Sequence, residues 1–213
     1  MKPLGIFWAL LALATVAGTA VLPGCGSPQT TRERQEVRRA LLGFHESLVT
    51  GDKQQHLSYL RGSEREMEVM ASRFELFQAT YDFQDRMIDL HGEEAWKAFD
   101  SRNDGLNATP PRERDYWQDL KIVVMGDRAR MFDRFEIGQF HMYRDEKGWH
   151  MKAYIAQGAN PDSVQEAFEA KTRILREYAA RLEYPNVDIH AMAGELDKRF
   201  QEAMDEIVRQ NSA

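Results

Sequence analysis

The chain has 213 residues, with 34 acidic and 28 basic side chains and a formal net charge of −6 at pH 7. That balance argues against a nucleic-acid binder, whose affinity rests on basic patches against phosphates. A single cysteine excludes an internal disulfide and a multi-thiolate metal site. At the N-terminus Lys2 precedes an apolar stretch from Ile6 to Val21, broken only by small residues and threonines. A basic start, an apolar run and a small-residue zone make the pattern of a signal peptide. The run is short of the roughly 20 apolar residues that a spanning helix needs, and Pro23-Gly24 then stops any helix.

The next residues, "LPGC", place Leu22 at the third position before Cys25 and the small Gly24 just before it. This resembles a bacterial lipobox, although Pro23 stands where that family more often has a small or β-branched residue. The resemblance implies a signal peptide over 1–24 and acylation of the Cys25 thiol by a diacylglyceryl group. Cleavage before Cys25 and a polar tether over 25–32 would follow. It also implies a lipid-anchored place in the bacterial cell envelope. Gly26 is not an aspartate, which fits the outer membrane, facing the periplasm. An uncleaved anchor, or an ordinary secretory signal cut after "GTA", is the alternative.

Beyond the tether, Val37, Leu41, Phe44 and Leu48 fall at three-and-four spacing and predict a helix over 33–49. "TGD" ends it and a short helix over 53–60 follows. Ser63 and Glu66 form a candidate capping box. Met67, Met70, Phe74, Phe77, Tyr81 and Ile88 then mark one stripe of a long helix ending near His91-Gly92. The stripe reads as core rather than as a ligand-binding face. Residues 101–115, rich in Gly, Pro and Asn, read as a loop.

From Asp119 the period changes to two. "LKIVVMGDRARMF" predicts two strands with Gly126-Asp127 in the turn. "RFEIGQFHMYR" predicts a third strand and "GWHMKAYIA" a fourth. In the third, Phe135, Ile137, Gln139, His141 and Tyr143 share a face. In the fourth, Trp149, Met151, Ala153 and Ile155 share one face, while His150, Lys152 and Tyr154 share the other. Short turns allow only antiparallel neighbours. Asn160-Pro161-Asp162 opens a helix to about residue 183, Tyr184-Pro185-Asn186 breaks it, and a last helix spans about 188–210. The two read as a helical hairpin. The expected fold class is therefore α+β: N-terminal helices on a curved antiparallel sheet of about four strands, plus a C-terminal helical hairpin.

This order, with "VTGD" closing the first helix, the hairpin "VVMGDRARM" and the late strand "EKGWHMKAY", resembles the nuclear transport factor 2-like family. The resemblance implies a cone-shaped domain over 33–158 and makes 159–213 an added helical extension. The family hosts enzymes and non-enzymes alike. It implies either a non-catalytic module for a small apolar ligand or an envelope protein partner, or a small lyase or isomerase. For the second, the candidate residues are His141 or His150 with Tyr143 or Tyr154, which would move a proton or polarise a carbonyl. None of the six histidines sits in a zinc-protease pattern. No phosphate loop or nucleophile elbow is present. No metal or cofactor is expected. His45 and His56 are expected at the surface.

Overall fold

The computed structural model describes residues 28–100, 109–133, 138–155, 158–184 and 186–211. Cys25, most of the loop over 101–115 and the strand residues Phe135 and Ile137 lie outside them. The fold is α+β. Among the described residues there are seven helices and a five-stranded mixed sheet that does not close, with the order β1-β5-β4-β3-β2.

Helix α1 (Pro28–Val49) buries Val37, Leu41, Phe44 and Leu48. Its end is set by local chemistry. Gly51 adopts φ +74°, a left-handed conformation that costs a side-chain-bearing residue about 1–2 kcal/mol. The Asp52 amide donates to the Ser47 carbonyl at 2.9 Å and the Gly51 amide to the Leu48 carbonyl at 3.4 Å. This is the paired closure of a Schellman motif. Asp52 then caps α2 (Lys53–Ser58), accepting from the Gln55 amide at 2.9 Å. One residue thus ends one helix and starts the next, which fixes the angle at which α2 leaves α1.

Strand β1 (Leu60–Arg61) is two residues long and pairs in parallel with β5 (Gly148–Lys152). It is held by the Met151 amide donating to Tyr59 O at 2.8 Å and the Ala153 amide to Arg61 O at 2.7 Å. The expected antiparallel sheet of about four strands is present, and β1 is added to its edge. The four longer strands, which also include β2 (Lys121–Met125), β3 (Arg128–Phe132) and β4 (Gly138–Asp145), are an antiparallel meander, and the fifth is a parallel edge. Two residues carry no period, so the sequence pattern has nothing to register. The β2–β3 turn has Gly126 at φ +65°, the first central position of a type II′ turn, whose twist matches that of the strands.

Helix α3 (Glu64–His91) begins at the capping box: Ser63 Oγ accepts from the Glu66 amide, and the Glu66 carboxylate accepts from the Ser63 amide at 2.7 Å. It carries two buried faces, not one. Met70, Phe74, Phe77 and Tyr81 form the expected stripe, while Val69, Ala79, Phe83 and Met87 are buried on another side. The reason is its position. The start of α3 packs into the core shared by α1 and the sheet. Its second half joins a helical core with α4 (Glu93–Asp100), α6 (Pro161–Arg181) and α7 (Ile189–Asn211). Helix α5 (Arg114–Asp119), unforeseen in the loop, places Trp117 in the sheet core.

Helices α6 and α7 run antiparallel: Glu177 meets Arg199 at 3.4 Å, Arg181 meets Glu195 at 2.7 Å, and Ala167 and Ala170 share a cluster with Ile207 near the far end. Asn160 caps α6 by accepting from the Asp162 amide, with Pro161 at the first helical position. Among the described residues no helix is long and apolar enough to cross a membrane.

Candidate functional site

Ladder register assigns each strand residue to a face. Ile122, Val124, Ala129, Met131, Met142 and Met151 share the face that packs on α1 and α3. Val123, Arg130, His141, Tyr143 and His150 share the other. The β3–β4 register slips between Met131 and Phe132, so that Phe132 opposes Gly138. The β4–β5 ladder ends at Met142 and Met151.

Just past that end lies a cavity of about 490 Å³ between the sheet and helices α1, α2 and α3. Its volume is within the usual range for small-molecule sites, about 300–1,000 Å³. Buried Phe44, His56, Leu60, Met70, Phe77 and Met151 form its walls. Exposed His141, Lys152 and Tyr154, with half-buried Tyr143, stand at the rim. Residues from both sheet faces meet here, Phe140 and Met151 from one and His141 and Tyr143 from the other. No aspartate or glutamate is among the described lining residues.

The structure divides the sequence candidates. His141, Tyr143 and Tyr154 all line this cavity, with Tyr154 66% exposed. Tyr143 stands directly opposite His150 in the ladder, with ring centroids 6.5 Å apart. His150 belongs to another cluster: its Nδ1 is 3.5 Å from the Asp145 carboxylate, which also accepts from Arg61 Nε at 3.2 Å. Burial raises the pKa of the Asp145 carboxyl, but the Lys147 amide, the Arg61 guanidinium and His150 outweigh it and hold the group below the usual carboxylate range. Among the described residues no group of three or more His, Cys, Asp or Glu side chains is placed to hold a metal ion.

The expectation that His45 and His56 lie at the surface is corrected. Both are buried, at 5% and 3% exposure. His45 Nε2 donates to the Arg112 carbonyl at 2.9 Å, tying α1 to the segment before α5. The His56 ring packs between Phe44 and Phe74, with centroids at 4.3 and 4.9 Å. A polar residue on a short helix reads as exposed until α3 is laid across it.

Burial lowers the His56 pKa from 6.5 to about 4; the Phe44 carbonyl opposes this and the Arg73 charge adds to it. The folded state therefore holds His56 neutral where the unfolded chain protonates it. Stability is at its full value above pH 6.5 and falls as the pH drops towards 4, by up to about 3 kcal/mol. The urea midpoint is expected to drop between pH 7 and 4.5, and His56→Gln is expected to flatten that slope. An unchanged slope in the variant would show that other groups titrate in this window.

The residue that the sequence reading missed is Arg73. It lies half-buried on the cavity wall, with its guanidinium 5.2 Å from the Phe77 ring centroid. A signal was available: Val69, Met70, Leu76 and Phe77, its neighbours at three and four residues, are all apolar, so no acid on its own helix stands beside it.

Comparison with protein-family models, with curated proteins and with solved structures finds no match to this chain.

Proposed function

We propose that this chain is a lipid-anchored module of the bacterial cell envelope that holds a small, largely apolar ligand without transforming it. One observation carries the reading: the cavity of about 490 Å³, walled by aromatic and methionine side chains, lies where the β4–β5 ladder ends. A well-formed apolar pocket with a few convergent polar groups is the usual form of a binding site. No aspartate or glutamate is among the described residues that line the cavity with His141, Tyr143 and Tyr154, which supports holding over proton transfer.

The tether reading rests on "LPGC" at Leu22–Cys25 and on the apolar run before it. It implies anchorage through acylated Cys25, at the outer membrane facing the periplasm. The order of elements, helices first and then the antiparallel meander with a cavity between them, supports a nuclear transport factor 2-like domain with α6 and α7 added.

Native mass spectrometry of the full chain, released from detergent after purification from its own host, tests the reading. A discrete, stoichiometric mass beyond protein and anchor is expected. A spectrum showing only protein and anchor would argue for a protein partner instead.

A further inference from the structure

We infer that the ligand is an acid: an apolar monocarboxylate whose head pairs with the Arg73 guanidinium and whose body lies against Phe44, Met70, Phe77 and Phe140. This deepens the cavity reading above and rests on it.

Arg73 is a cation set into an apolar wall, and among the described residues it has no counter-charge. Among the described residues no carboxylate lies within ion-pairing distance, and no hydrogen-bond acceptor is seated on its guanidinium. Acids close by in sequence are committed elsewhere. Glu75 binds Lys53 at 3.0 Å and Arg176 at 3.3 Å, and Glu66 closes the capping box with Ser63. Burial lowers the Arg73 pKa below its ordinary value, yet arginine remains charged at neutral pH. A partly desolvated cation without an anionic partner is costly, and an entering anion removes that cost.

The other polar groups point to the same ligand charge. Lys152 adds a second cation at the rim, and the hydroxyls of Tyr143 and Tyr154 can donate. A guanidinium presents a planar fork that matches a carboxylate in two parallel hydrogen bonds. The buried walls are too apolar to receive a nucleotide or a sugar, but they suit a hydrocarbon or aromatic body.

The test compares two probes that share one skeleton, 4-phenylbutyrate and 4-phenyl-1-butanol. Each is titrated calorimetrically at pH 7.5 into the full chain in nanodiscs of zwitterionic lipid, with empty discs as the blank. The acid is expected to bind about 10- to 100-fold more tightly than the alcohol, as a charge-assisted hydrogen-bonded pair implies. Arg73→Met is expected to abolish that preference while leaving alcohol binding in place, and Arg73→Lys to retain part of it. Equal binding of acid and alcohol by the unaltered chain would overturn the acid inference and leave the cavity reading standing. Binding of neither would overturn both. If Arg73→Met fails to fold, the acid-to-alcohol ratio of the unaltered chain still decides whether the ligand is an acid. A Lys152→Met variant that keeps the ratio then assigns the head to Arg73, whereas one that loses it assigns the head to Lys152 and overturns the Arg73 pairing.

Discussion

Trp117→Ala is expected to remove about 3–5 kcal/mol of folding stability, the usual cost of truncating a fully buried tryptophan. Trp117 is completely buried. Its ring lies 4.9 Å from Phe140 on β4, 5.2 Å from His45 and 6.2 Å from Phe44 on α1. Its Nε1 donates to the Pro111 carbonyl at 2.7 Å. One side chain thus fastens the segment before α5 to both the first helix and the sheet. Phe44 and Phe140 also wall the cavity, so the loss is expected to reach it. Domains of this kind have about 5–15 kcal/mol to lose in total, so the variant should sit close to unfolding at physiological temperature. Trp117→Phe keeps most of the ring and gives up the Pro111 bond, which should cost about 1–2 kcal/mol. Urea denaturation of the three chains checks the order. If Trp117→Ala lost less than the phenylalanine variant, the α5 anchor described here would be wrong.

The second large effect concerns place. On the proposed lipid anchor, Cys25→Ser is expected to move the protein from the membrane pellet to the soluble fraction. Each buried CH₂ of an acyl chain contributes about 0.8 kcal/mol, and two or more chains hold a protein stably where one does not. A serine hydroxyl lacks the nucleophilicity of the thiolate that the lipidation chemistry uses. The apolar run before it is shorter than a spanning helix requires, so little would hold the variant in place. Fractionation with intact-mass measurement reads both anchor and location. A variant that stays in the pellet unchanged would remove Cys25 from the account.

Much of the helical framework was legible because its signals are local. Ser63 and Glu66 announce the start of α3 within four residues, and the Gly51-Asp52 pair announces the end of α1 and the start of α2. Asn160-Pro161 does the same for α6. The meander was legible because its strands alternate and its first turn carries Gly126. What depended on distant partners was not. β1 exists only because β5 accepts it, and α5 hides in a Pro-rich stretch. His45 and His56 become interior only when the segment at Arg112 and helix α3 cover them. The site was half legible. His141, Tyr143 and Tyr154 were singled out and line the cavity. Arg73 was passed over because a charged residue beside an apolar stripe reads as solvated, and only the position of the sheet places it on a cavity wall.

The central question is whether the space between the sheet and α1, α2 and α3 is a ligand site. A crystal structure of the chain as purified from its own host tests that most directly. An elongated or aromatic molecule between Phe44 and Phe140, with its acidic head on Arg73, is the expected result. A cavity closed by its own side chains, with Arg73 turned out to water, would contradict it.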